Sequence, residues 1–238
     1  MKKGNKYGIH RVIEPANVLP QPATKVDNDM EIYDNEILID VQALNIDSAS
    51  FTQIAEEQGH DDVKIGERIL EIVSEKGKQQ NPVTGSGGML IGVVKEIGSA
   101  LEGKTDLKVG DKIATLVSLS LTPLKIEEII KVHSDIDRVD IKGEAILFES
   151  GIYAVLPDDM SETLALAALD VAGAPAQTKK LVKEGQKVLI LGAAGKSGVM
   201  CCYEAKKAAG DKGQVIGFVN SDEDKKMLEE TFFCDDVI

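Results

Sequence analysis

Hydrophobic and polar residues follow two rhythms along this chain, and the change falls near residue 158. In the first part, residues 36–44, 92–98, 112–117, 145–148 and 153–156 are short apolar-rich runs bounded by Gly, Pro and Asp clusters, the pattern of strands. Short strands with frequent turn signals suggest a compact barrel. One stretch differs. Over 61–76 the apolar residues Val63, Ile65, Ile69, Leu70, Ile72 and Val73 recur at helical spacing, with charges between them. After residue 158 the order is helix, strand, turn, helix, strand. Ser161 is a candidate N-cap before an Ala/Leu-rich helix, and a second helix is predicted through 177–182. Lys187–Leu191 is continuously apolar after its first residue, as a strand buried on both faces would be. A helix over Lys196–Ala209 stops at Gly210, a strand covers 214–219, a helix covers 222–230, and 236–238 looks like a further strand. The division is therefore a β-rich domain over 1–158 and an α/β domain over 159–238.

Composition narrows the function classes. Of 238 residues, 43 % are apolar and 28 % charged, so a packed core is expected. The formal net charge of −13 argues against nucleic acid and anionic membranes as partners, since phosphate surfaces need a basic face. No apolar run reaches the length of about 18 residues that a membrane span needs. No secretory signal is visible after Met1. The three cysteines, Cys201, Cys202 and Cys234, form no spaced metal set, and with no signal they predict reduced thiols in a cytoplasmic protein.

The strongest chemical signal is Gly192-Ala193-Ala194-Gly195-Lys196-Ser197-Gly198, between a strand and a helix. In such a turn the first glycine permits the tight bend, and the second lets the backbone approach a pyrophosphate. The third lets the helix pack closely, and the helix N-terminus offers N–H groups to the anion. Gly192, Ala194, Gly195, Lys196, Ser197 and Gly198 are thus candidate dinucleotide contacts. The alternative is a glycine-rich turn without a ligand. A nucleoside-triphosphate loop is excluded, because the glycine it needs five residues before Gly195 is Ile190. No acidic residue stands at the end of the second strand, where one would bind a ribose 2′-hydroxyl and favour NAD. Asn220 and Ser221 stand there instead, followed by Lys225 and Lys226, which tilts the expectation towards NADP, with NAD the alternative.

These residues carry a family resemblance. Gly85-Ser86-Gly87-Gly88-Met89 before residues 92–98, then Leu107-Lys108-Val109-Gly110-Asp111-Lys112-Ile113, and the later glycine turn resemble the medium-chain dehydrogenase/reductase superfamily. Runs at 6–8, 10–15, 18–22, 43–54, 81–92 and 170–178 resemble, within it, the 3,5-diaminohexanoate dehydrogenases of bacterial lysine fermentation. The resemblance implies a GroES-like catalytic domain followed by a Rossmann-type parallel sheet, with the active site between them. It implies oxidative deamination of a small diamino acid by NAD or NADP, giving a 3-oxo acid and ammonia, and a homo-oligomer. A zinc-independent quinone or enoyl reductase of the same superfamily is the competing reading.

Many members of that superfamily hold a catalytic zinc. At the matching positions this chain has Asp47 in place of the Cys and Gly88 in place of the His, and no Cys/His cluster precedes Cys201, so no metal is expected. A substrate with two ammonium groups then needs acidic partners. Asp47 or Asp170 is the candidate for that pairing, with Ser48 and Ser50 as hydrogen-bonding groups, and Thr84 to Gly88 is expected to face the substrate or to pack tightly. The alternative for Asp47 is the start of a turn with Ser48 and Ser50 capping a short helix. Glu149 is a weaker candidate, better read as a turn. A doubly wound sheet has two halves, and only the first is visible here, so the C-terminal half is expected to be missing and this length of chain to be inactive.

Overall fold

The computed structural model describes residues 1–157 and 159–238. They form two compact units, Met1–Asp159 and Met160–Ile238. The boundary expected from the sequence rests on residue 158, which lies outside the described residues.

The first unit contains, in order, β1 (Val12–Glu14), β2 (Lys25–Val26), β3 (Glu36–Asn45), α1 (Ser48–Glu57), α2 (Asp62–Lys76), β4 (Met89–Ile97), β5 (Lys112–Thr115), β6 (Leu124–His133), β7 (Arg138–Phe148) and β8 (Tyr153–Val155). β1 and β2 pair with each other. The other six form one antiparallel sheet in the order β6-β7-β3-β4-β5-β8. Its first and last strands do not pair, so the described sheet is open where short strands suggested a barrel. β3 lies near the middle of that order. Only Asp40 and Gln42 of its ten residues are exposed, and it places Leu44 between Leu90 of β4 and Val139 of β7.

α2 covers one face of this sheet. Asp61 caps it, accepting from the amides of Val63 at 3.0 Å and Lys64 at 3.2 Å. Ile65, Ile69, Ile72 and Val73 enter the core. Val63 and Leu70 do not: seven residues apart, they share an outer flank, where Val63 is 71 % exposed. There they line, with Gly66, Ile129 and Ile130, a surface groove of about 420 Å³.

The N-terminal end of β3 is clamped by charge. Arg11 and Glu36 are both buried and meet through two hydrogen bonds, Nε to Oε1 at 3.0 Å and Nη2 to Oε2 at 2.6 Å. His10 Nε2 lies 2.8 Å from Oε1, and the Tyr33 amide donates to Oε2 at 2.9 Å. Burial pushes the Glu36 carboxyl up, but the hydrogen bonds from His10 and Arg11 outweigh it and hold the group at about 2.

The second unit contains α3 (Glu162–Leu169), α4 (Gly173–Leu181), β9 (Lys187–Leu191), α5 (Lys196–Ala209), β10 (Gln214–Phe218), α6 (Asp222–Thr231) and β11 (Asp236–Val237). The strands are parallel, in the order β11-β10-β9. A β-rich unit followed by a Rossmann-type parallel sheet is the fold class expected. Ala193, Cys202, Leu228 and Val237 form the core between sheet and helices, with Ile190 packed against it. Cys201 and Cys202 are buried in α5. β9 is not buried on both faces: Ile190 turns to the helices, while Leu189 and Leu191 are 55 % and 72 % exposed. No helix among the described residues is long and apolar enough to cross a membrane.

Candidate functional site

β3 delivers the first functional side chain. It ends at Asn45, and two residues later Asp47 becomes the N-cap of α1, its carboxylate 3.4 Å from the Ser50 amide. The loop before β4 is drawn against this point. Gly88 has φ +104, and a Cβ there would lie 2.0 Å from the Asn45 carbonyl oxygen and 2.9 Å from the Asp47 nitrogen. Backbone meets backbone at the position where zinc-holding relatives were expected to project a histidine, and no side chain fits. Among the described residues no three His, Cys, Asp or Glu side chains gather in a group that could hold a metal.

That close approach lays Thr84 and Ser86 over α1. The Ser50 hydroxyl lies 2.5 Å from the Thr84 hydroxyl and 2.5 Å from that of Ser86. Ser86 Oγ donates to Asp47 Oδ1 at 3.1 Å. An ionised carboxylate only accepts, and each hydroxyl has one proton to give. The direction of the chain follows: Thr84 donates to Ser50, Ser50 to Ser86, and Ser86 to Asp47. Both identified contacts to the carboxylate use Oδ1, and Oδ2 has no hydrogen-bonding partner among the described residues. Asp47 is half-buried, Ser50 fully buried and Thr84 exposed. The result is an anionic acceptor with one free oxygen, braced by three hydroxyls.

Of the other expected residues, Ser48 and Glu149 stand outside this cluster. Ser48 is exposed and donates to Asp137 Oδ2 at 2.5 Å, away from the cluster. Asp170 belongs to the second unit, where it is the C-cap residue of α3. Glu149 lies in a turn after β7 and accepts from Asn35 Nδ2 at 3.1 Å. Two residues of the cluster, Thr84 and Ser86, stood out in the sequence only as part of a glycine-rich stretch.

The second glycine turn follows β9. Gly192 has φ +69, and its amide and that of Ala193 donate to the Phe218 carbonyl at 3.0 and 3.1 Å, which pins the turn to the end of β10. Gly195 is the N-cap of α5, and no side chain caps that helix. Unsatisfied N–H groups therefore open the helix at Lys196, Ser197 and Gly198. A Cβ on Gly195 would meet only the Gly192 carbonyl, at 3.5 Å. A Cβ on Gly198 would stand 2.2 Å from that same oxygen, so this glycine is needed for packing. Ala194 and Ser197 are half-buried, and Lys196 is exposed. Asn220 is exposed after β10. Ser221 is the N-cap of α6 and accepts from the Asp224 amide at 3.1 Å, which leaves its hydroxyl proton to donate.

Comparison with known proteins shows the family of the chain. The family model of the L-erythro-3,5-diaminohexanoate dehydrogenase N-terminal domain matches residues 10–157. The chain is 73 % identical over 236 residues to L-erythro-3,5-diaminohexanoate dehydrogenase of Acetoanaerobium sticklandii, covering 99 % of this chain and 69 % of the relative. It is 72 % identical over 229 residues to the enzyme of that name from Fusobacterium nucleatum, covering 96 % of this chain and 66 % of the relative. It thus spans about two thirds of the length of these curated relatives. Among solved structures, a mycobacterial quinone oxidoreductase aligns with TM-score 0.53 at 19 % identity, over 92 % of this chain and 55 % of that one. A mycobacterial protein complexed with NADPH aligns with TM-score 0.51 at 18 % identity, over 90 % and 53 %. These two structures share the fold. The chain belongs to the L-erythro-3,5-diaminohexanoate dehydrogenase family.

Proposed function

We propose that this protein catalyses the NAD(P)-dependent oxidative deamination of L-erythro-3,5-diaminohexanoate to 5-amino-3-oxohexanoate and ammonia. The observation that carries the reading is the identity of 73 % over 236 residues to a dehydrogenase of that name. In the substrate, the C3 ammonium loses a proton and C3 loses a hydride, leaving an iminium. Water then adds at C3 and the C–N bond breaks, releasing ammonia. A bound nicotinamide dinucleotide supplies the hydride acceptor.

The chain's own residues supply binding and proton handling. Asp47 Oδ2, the free carboxylate oxygen, pairs a substrate ammonium and takes the proton that it must lose. Ser86 and Ser50 brace Oδ1 and keep the carboxylate aimed. Asp170 is the alternative partner for an ammonium. Gly192, Ala194, Gly195, Lys196, Ser197 and Gly198 hold the pyrophosphate over the uncapped start of α5. Asn220, at a strand end with no acidic side chain, together with Lys225 and Lys226, favours the 2′-phosphate of NADP. The reading extends to a cytoplasmic homo-oligomer, in keeping with three unpaired cysteines.

Mixing the enzyme, expressed over the whole length of its curated relatives, with the diamino acid and NADP+ or NAD+ should produce reduced nicotinamide and ammonia in equal amounts. No turnover of the diamino acid, with NADPH consumed by a quinone instead, overturns the reaction. Asp47→Asn should raise KM for the diamino acid by at least about tenfold, the worth of a charged hydrogen bond. An unchanged KM overturns the role of Asp47.

A further inference from the structure

We propose that Asn81 is the positioning residue of the ammonium site, fixing the loop that bears Thr84 and Ser86 at hydroxyl-bonding distance from α1. The inference rests on the reading of Asp47 given above. Asn81 is fully buried, and its side chain uses every hydrogen-bonding position that an amide has. Nδ2 donates to the Ser50 carbonyl at 3.2 Å and to Gln53 Oε1 at 2.7 Å, both on α1. Oδ1 accepts from the amides of Val83 at 2.7 Å and Thr84 at 3.1 Å. Its backbone closes the loop as well: the Asn81 amide donates to the Ser86 carbonyl, and the Gly85 amide donates to the Asn81 carbonyl, each at 2.9 Å.

One side chain therefore joins the residue that donates to Ser86, through the Ser50 main chain, to the loop that carries Ser86. Neither amide atom is exchangeable. Two donors face two acceptor oxygens on α1, and one oxygen faces two loop N–H groups. Aspartate would keep the loop contacts but turn a carboxylate towards the Ser50 carbonyl. The Gln53 amide can rotate to offer its NH₂ to that carboxylate, and the Ser50 carbonyl cannot. Alanine would lose both sides. The loop is also held independently of Asn81, since Gln80 Nε2 donates to the carbonyls of Gln21 and Gly85 at 3.1 and 3.2 Å. Loss of Asn81 should loosen the loop rather than unfold the unit.

The test uses the full-length enzyme with Asn81→Ala and Asn81→Asp. Two readings are taken: steady-state kinetics, and hydrogen exchange at the amides of Val83 and Thr84. Asn81→Ala should raise KM for the diamino acid by roughly ten- to a hundredfold, the scale of a small misplacement at a reacting group. KM for the nucleotide should stay unchanged, and both amides should exchange faster. Asn81→Asp should fall between alanine and wild type. Unchanged amide protection in Asn81→Ala overturns the proposal, and so does faster exchange with an unchanged KM. Equal rises in both KM values, with a lowered melting temperature, would make Asn81 merely structural and overturn it too. A wild-type enzyme that does not turn over the diamino acid overturns the assigned reaction instead; the exchange measurement then decides by itself whether Asn81 holds the loop.

Discussion

The two glycine-rich turns of this protein, 85–88 and 192–198, resemble each other as sequence and differ as structures. In the first, the protein's own backbone fills the space at Gly87 and Gly88, while Gly85 stands open. A Cβ on Gly87 would lie 2.4 Å from the Ser120 amide nitrogen, and one on Gly88 would lie 2.0 Å from the Asn45 carbonyl oxygen. In the second, only Gly198 is pressed in this way, while Gly192 faces open space and Gly195, at the start of an uncapped helix, would meet one atom at ordinary contact distance. A glycine cluster can thus mean chain packed on chain, which here brings hydroxyls to Asp47. It can also mean backbone left accessible to an anion. The residue type does not distinguish the two, but the cost of adding a single methyl does.

The comparison breaks most severely at Gly88. Gly88→Ala combines a left-handed backbone with overlap on the Asn45 carbonyl oxygen at the end of β3. A loss of about 3–5 kcal/mol is expected, read as a collapse of the urea midpoint of the first unit. A variant as stable as wild type would show that the loop does not sit against β3.

Acid should separate the two units next. Glu36, buried at the other end of β3, is held at about 2 against a usual value of 4.5. Its folded pKa is depressed, so its contribution is fully present above about pH 4.5 and is lost as the pH falls through 2. The contribution is on the order of 3 kcal/mol. Glu36→Gln should flatten the acid limb of the first unit's stability curve. An unaltered limb would place the acid sensitivity elsewhere.

The sequence was most legible where its signals are local. The β9–turn–α5–β10 order could be read because a parallel strand is a continuous apolar run and glycine marks its end. β6 escaped, since Lys125, Glu127, Glu128 and Lys131 interrupt its apolar residues; as the first strand in the sheet order it tolerates them on its open side. Ser48 was grouped with Ser50, yet residues two apart on a helix do not face each other. Ser50 meets the loop, and Ser48 meets Asp137 instead. Asn81 was invisible as a functional residue. Its partners Ser50 and Gln53 lie 31 and 28 positions away, and no local rule announces a buried amide with distant partners.

Gly198→Ala is a smaller perturbation than either of the first two. The φ there suits an L-residue, so the penalty is steric alone, overlap with the Gly192 carbonyl and the Ala193 backbone, about 1–3 kcal/mol. Thermal unfolding of the second unit should shift down while the first unit's transition stays in place. A shift in both would mean that the glycine does more than seat α5 on its turn.

The smallest effect on stability is expected at Gly195, and it is the sharpest test of the contrast. Gly195 has φ −70, which any L-residue adopts, and the added methyl would find one atom at ordinary contact distance. Alanine is a poorer N-cap than glycine, which costs roughly 0.5–1 kcal/mol. It also restricts the unfolded chain, which returns about 0.4–1 kcal/mol. Gly195→Ala should therefore leave the melting temperature of the second unit nearly unchanged, within about 0.5 kcal/mol. Its effect should fall on the ligand instead. The methyl would add bulk at the residue that opens α5, where a pyrophosphate has to approach the backbone. Calorimetric titration with NADPH should show at least about a tenfold loss of affinity, or 1.4 kcal/mol. Unchanged affinity would mean that the anion does not rest on this turn. A lowered melting temperature would mean that the space before Gly195 is not open, and the two glycine turns would then be packed for the same reason.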